Sequence, residues 1–80
     1  MKNIFAQRLK QLRTDKGLTQ EQLAKHLKCS RSTVCKLEKA ITEPWITVVY
    51  NAAVYFNVTS NYLAGLSNER KRKKTPRGAD

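Results

Sequence analysis

The chain has 80 residues, with 16 Lys or Arg against six Asp or Glu, a formal net charge of +10. That length holds one small domain and leaves little room for the machinery of a metabolic enzyme. With 40% hydrophobic residues a single core is within reach, so wholesale disorder is not expected, and the charge points to polyanions, nucleic acid ahead of an anionic membrane.

The first predicted element is a helix over Ile4 to Lys16. Phe5, Leu9 and Leu12 recur at spacings of four and three, Asn3 stands where an N-cap belongs, and Gly17 follows as a helix-ending glycine. Thr19 and Gln22 then have the spacing of a capping box, which opens a second helix whose apolar stripe is Leu23, Ala24 and Leu27. Ser30 caps a third helix, Arg31 to Lys39, with Val34 and Leu37 inward. Pro44 interrupts the chain. Ile46, Val49, Ala53 and Phe56 predict a fourth helix to about Asn57, and Thr59 opens a short fifth over Ser60–Ala64, ended by Gly65. No segment alternates with period two. The expected fold is all-α: a bundle of about five helices over residues 1–66, followed by a basic extension, 67–80.

Charge is shared between these parts. Residues 67–80 carry six bases and two acids, and residues 1–66 carry ten bases and four acids. The basic surface therefore belongs to the folded part as well as to the extension. No apolar run approaches the ~20 residues that span a bilayer. The start, Met1 to Arg8, lacks a signal-peptide apolar stretch, so a cytoplasmic location is expected. Cys29 and Cys35 have neither a Cys-x-x-Cys nor a zinc spacing, and with His26 the sole histidine no structural metal is expected.

Residues 20–39 are the most specific part. Two short helices joined by Lys28-Cys29-Ser30 cross steeply, and Ala24 supplies the small residue needed at the contact. Leu23, Leu27, Cys29, Val34 and Leu37 fall inward. The outer face of the second helix of the pair keeps Arg31, Ser32, Cys35, Lys36 and Lys39, donors and bases that suit a major groove.

Gln20 to Lys39 resembles the helix-turn-helix of the Cro/lambda-repressor-like regulators of bacteria and phages. Its surroundings resemble that family too: Arg8-Leu9-Lys10-Gln11-Leu12-Arg13, Lys16-Gly17-Leu18-Thr19-Gln20, Ser30-Arg31-Ser32-Thr33-Val34, Leu37-Glu38, Pro44, and Asn57-Val58-Thr59 before Tyr62-Leu63, over roughly residues 4–66. The resemblance implies that Arg31, Ser32, Cys35 and Lys36 look toward base edges. It implies that Thr19, Gln20, Ser30 and Lys39 meet phosphates or support the reading helix, and that Arg13 and Glu38 form an ion pair between the first and third helices. Two positions depart from the pattern: Lys28 in the turn and Ala40 after the third helix stand where glycine is usual.

Plainer readings stand beside these. Arg31, Lys36 and Lys39 fit an ordinary solvated face, and Cys29 fits a small core residue. Cys35 fits either a tolerated surface thiol or a redox-sensitive base contact. His26 is expected exposed and without a role. Trp45, Tyr50, Tyr55 and Tyr62 exceed what one small core needs. Relatives pair through their C-terminal helices, so Tyr62, Leu63, Trp45 and Tyr55 are candidates for a dimer contact, with burial in the monomer core as the alternative. The run Arg70–Lys74 reads as an arm on phosphates or a solubilising end.

The expected function is a sequence-specific double-stranded DNA-binding transcription regulator, a homodimeric repressor on a palindromic operator. It is expected to need no cofactor, no small-molecule ligand and no membrane. An antitoxin that also binds a toxin protein is the alternative, although the extension lacks an apolar binding segment. An enzyme is not expected: the folded part has four acids and one histidine, with no paired carboxylates and no phosphate loop.

Overall fold

The structure is a computed structural model and describes residues 2–68. The expectations for Arg70–Lys74 lie outside the described residues. Among the described residues five helices follow one another: α1 (Lys2–Asp15), α2 (Gln20–Leu27), α3 (Arg31–Glu38), α4 (Ile46–Phe56) and α5 (Ser60–Ala64). α1 packs on α3 and α5, α2 on α3 and α4, and α4 closes against α5. The fold is all-helical, as the periodicity predicts.

One core joins all five. Phe5, Leu9 and Leu12 of α1 meet Leu23, Ala24 and Leu27 of α2, Val34 and Leu37 of α3, Val48, Ala52 and Ala53 of α4, Val58, and Leu63 of α5. Every residue of this core is apolar, and among the described residues no buried side-chain polar atom lacks a partner. Burial of these side chains, at about 25 cal/mol per Å² of apolar surface, is the main force holding helices too short to persist alone.

The five helices end in the same way. A residue in the left-handed region follows or closes each one: Gly17 (φ +71°), Lys28 (φ 61°), Ala40 (φ 60°), Asn57 (φ 56°) and Gly65 (φ +83°). The next amide then bonds back five residues, Leu18 to Arg13 at 3.1 Å, Cys29 to Ala24 at 3.0 Å, Ile41 to Lys36 at 3.0 Å, Val58 to Ala53 at 2.9 Å and Leu66 to Asn61 at 2.8 Å. This is the Schellman closure, and every donor in it is an apolar residue or cysteine, as the motif favours. Leu18, Cys29 and Val58 turn into the core, whereas Ile41 and Leu66 stay exposed.

Two expectations need correction. α1 begins at Lys2, so Asn3 lies inside the helix and does not cap it. In α4 the inward stripe is Val48, Ala52 and Ala53, with Val49 and Phe56 half-buried and Ile46 88% exposed. The segment Ile46–Phe56 is apolar on every side, so spacing alone does not single out the face that docks on α2.

Candidate nucleic-acid interface

The site begins with the caps. Thr19 Oγ1 accepts from the Gln22 amide at 3.1 Å, and Gln22 Oε1 accepts from the Thr19 amide at 2.9 Å. The capping box therefore forms in full and sets where α2 starts. At α3, Ser30 Oγ accepts from the Thr33 amide at 3.1 Å and pairs with the Thr33 hydroxyl at 2.9 Å. Such caps contribute about 1 kcal/mol each and fix the first turn of each helix. Between them, Lys28 takes the left-handed position that closes α2, and Ala24, 3% exposed, lies in the core beneath the turn.

α3 is two-faced. Val34 and Leu37 are fully buried, whereas Arg31, Ser32 and Lys36 are exposed, as is Lys39 just beyond it. Cys35 is half-buried within the same outward arc. At 100° per residue, positions 31, 32, 35, 36 and 39 span about 140° of the helix surface, a strip the width of one reading face.

What holds this strip is a buried carboxylate. Arg13 Nε donates to Glu38 Oε2 at 2.7 Å and Arg13 Nη2 to Glu38 Oε1 at 3.2 Å, and the Glu38 side chain is 3% exposed. Gln20 Nε2 donates to the same Oε1 at 3.1 Å. Arg13 Nη1 also donates to the Leu18 carbonyl at 2.8 Å. One guanidinium therefore joins α1, the loop after it and the end of α3, and Gln20 adds α2. The acid at the end of α3 is turned inward and compensated, which leaves the outward arc with bases and no carboxylate. This bond uses one of the two amide hydrogens of Gln20.

Cys29 lies half-buried against the core, where burial pushes its thiol up. A raised thiol carries less thiolate at neutral pH and is correspondingly unreactive.

A family model described as a helix-turn-helix domain matches residues 4–64. The chain belongs to the helix-turn-helix domain family. Over 59 residues it is also 41% identical to BcrR of Enterococcus faecalis, an HTH-type transcriptional activator; the aligned part is 74% of this chain and 29% of that protein. The chain thus spans under a third of that relative's length. No solved structure gives a significant match.

Around the helix-turn-helix, several residues do work that the sequence reading does not assign. Arg8 Nη1 donates to the carbonyls of Tyr62 and, at 2.8 Å, of Ser67, while Nη2 donates to Asn68 Oδ1 at 3.0 Å. Its guanidinium also lies 4.2 Å from the Tyr62 ring centroid. One side chain of α1 thus fastens the end of α5 and the residues after it. His26, expected to have no role, stacks on Tyr55 with centroids 4.0 Å apart and planes 16° from parallel, and the Lys16 ammonium lies 5.2 Å from the same ring. Asn51 Nδ2 donates to the Leu27 carbonyl at 3.3 Å, tying α4 to the end of α2.

The four dimer candidates separate. Leu63 is fully buried in the monomer core, which leaves a second chain nothing to touch and removes it as a contact residue. Tyr55 and Tyr62 are half-buried, the first beneath His26 and the second beneath Arg8. Trp45 remains 43% exposed. Among the described residues, no three His, Cys, Asp or Glu side chains cluster as a metal site would require, and no helix is long and apolar enough to cross a membrane.

Proposed function

We propose that this protein is a sequence-specific double-stranded DNA-binding transcription regulator of the Cro/lambda-repressor-like type. The observation that carries it is the outward strip of α3, which presents Arg31, Ser32, Cys35 and Lys36 on a helix held from behind by the Arg13–Glu38–Gln20 network. A basic helix whose outward face carries no carboxylate fits the major groove, where Arg and Lys read guanine edges and Ser reads either base type. Lys39 and the second hydrogen of the Gln20 amide would meet phosphates, with Thr19 and Ser30 setting the helix starts. No constellation on this surface suggests catalysis.

The protein acts as a homodimer on a palindromic operator, the two α3 helices entering successive major grooves about one helical turn apart. It represses where the operator overlaps a promoter, by occupying DNA that polymerase needs. Binding-site selection with the purified protein on random duplexes tests the core of this. A palindromic consensus that relaxes in Arg31→Ala supports it; an unenriched pool, or a consensus untouched by Arg31→Ala and Lys36→Ala, contradicts it. A reporter driven by the selected site then decides the sign. A fall in expression supports repression, and a rise gives this protein the activity in the name of its relative BcrR.

A further inference from the structure

We propose that the duplex segment read by α3 holds two G·C pairs, one contacted by Arg31 and one by Lys36, and a T·A pair whose thymine methyl meets Cys35. This rests on α3 as the reading helix, as argued above. Few groups on α3 can reach a base edge. Val34 and Leu37 are fully buried. Thr33 is half-buried, and its hydroxyl pairs with that of Ser30 at 2.9 Å. Both Glu38 oxygens accept internal bonds, from Arg13 and from Gln20, and the side chain is 3% exposed. What remains is a guanidinium, a hydroxyl, a thiol and an ammonium, those of Arg31, Ser32, Cys35 and Lys36.

Each of these groups selects a narrow set of edges. The guanidinium and the ammonium only donate, so they favour paired acceptors, and in the major groove guanine offers two, N7 and O6. Adenine is selected by a side-chain amide that donates and accepts at once, and cytosine by a carboxylate that accepts from N4. α3 has no Asn or Gln, and its one carboxylate is held by Arg13 and Gln20. The Ser32 hydroxyl donates or accepts, so it selects weakly. Cys35 is different. Its thiol is a weak donor on a small apolar body, half-buried within the outward arc. Such a surface offers a base little hydrogen bonding but suits the C5 methyl of thymine. Around the helix Cys35 lies between the two cations, about 40° from Arg31 and about 100° from Lys36. Its base pair therefore neighbours those that the cations reach.

Base analogues test each contact separately. Full-length protein is titrated with the duplex obtained by binding-site selection, in which single bases are exchanged. 7-Deazaguanine removes the N7 acceptor of a guanine, and deoxyuridine removes only the methyl of a thymine. Either contacted guanine, once exchanged, should weaken wild-type binding at least about fivefold. Arg31→Ala should abolish that penalty at one guanine and Lys36→Ala at the other. Deoxyuridine at the contacted thymine should cost the wild type about fourfold, the worth of one buried methyl group, and should cost Cys35→Ser nothing. Circular dichroism establishes that each variant is folded, and the wild-type analogue series needs no variant at all. A selected site that relaxes in Arg31→Ala yet tolerates 7-deazaguanine at every guanine, or deoxyuridine at every thymine, overturns this base assignment and leaves α3 as the reading helix. An unenriched pool, or a site indifferent to every α3 substitution, removes the reading helix and the assignment together.

Discussion

The helix-turn-helix half and the α4–α5 half of this molecule share one core but have opposite surfaces. In the first, residues 1–39 carry ten bases, and the one acid in α3 is turned inward under Arg13 and Gln20. In the second, residues 40–66 carry a single charge, and Trp45, Ile46, Tyr50, Val54 and Leu66 stand exposed. Charge suits the first surface to a polyanion, whereas the second is almost uncharged and exposes apolar side chains. Substitutions can break or sharpen this division.

The largest effect is expected at the carboxylate that organises the first half. Glu38→Ala leaves Arg13 and Gln20 without their acceptor, and removing one partner of a buried pair costs about 3–5 kcal/mol. Urea denaturation should show that loss, and a change within experimental error would mean that the network does not hold α3. Next come the residues proposed to read bases. Arg31→Ala and Lys36→Ala should each reduce discrimination among sequences by about 1–3 kcal/mol. Lys39→Ala should instead weaken all sequences alike and reduce the log–log salt slope by about 0.9. Salt titrations on a selected and a scrambled duplex separate these two behaviours.

Gly65→Ala comes after these in size. Gly65 has φ +83° and a Cβ there would lie 2.9 Å from Ile4 Cγ2, so the variant should lose about 1–2 kcal/mol by thermal melting. A neutral result would show that α1 and α5 yield at that contact. The smallest effect has the opposite sign. Lys28→Gly and Ala40→Gly relieve left-handed residues that carry a Cβ, and each should gain up to about 1 kcal/mol, less the entropy of a freer unfolded chain. In a domain of this size that corresponds to a rise in Tm of about 4–8 °C per kcal/mol. A fall in Tm at either position would place a further role on that side chain.

The residues legible from sequence are those whose behaviour is local. Thr19 with Gln22, Ser30 with Thr33, and the glycines at 17 and 65 announce helix ends because a cap is satisfied within four residues. The helix-turn-helix itself was legible for the same reason, with its helix starts and its Val34 and Leu37 stripe written in adjacent positions. α4 was harder. Its apolar residues surround the helix, so the buried face is set by how α4 packs against α2 and α5, and Ile46 points out although spacing puts it on the inward stripe.

Contacts across long separations were not legible. Arg8 reaches Tyr62, Ser67 and Asn68 because α1 and α5 pack together, and nothing local to Arg8 signals that. His26 and Tyr55 meet only once α2 and α4 are docked. Leu63 reads equally as core or as contact from its position in a short helix, and packing resolves it as core. The apolar residue or cysteine after each left-handed position, Leu18, Cys29, Ile41, Val58 and Leu66, is the local mark of a Schellman closure.

The division between the two surfaces is tested most directly by amide chemical-shift mapping of the protein titrated with its selected duplex under conditions where its oligomeric state is constant. The account predicts shifts concentrated at Arg31, Ser32, Cys35, Lys36, Lys39 and Gln20, with Trp45, Ile46 and Tyr50 unmoved. Shifts centred on α4 and α5, with the α3 strip silent, would contradict it.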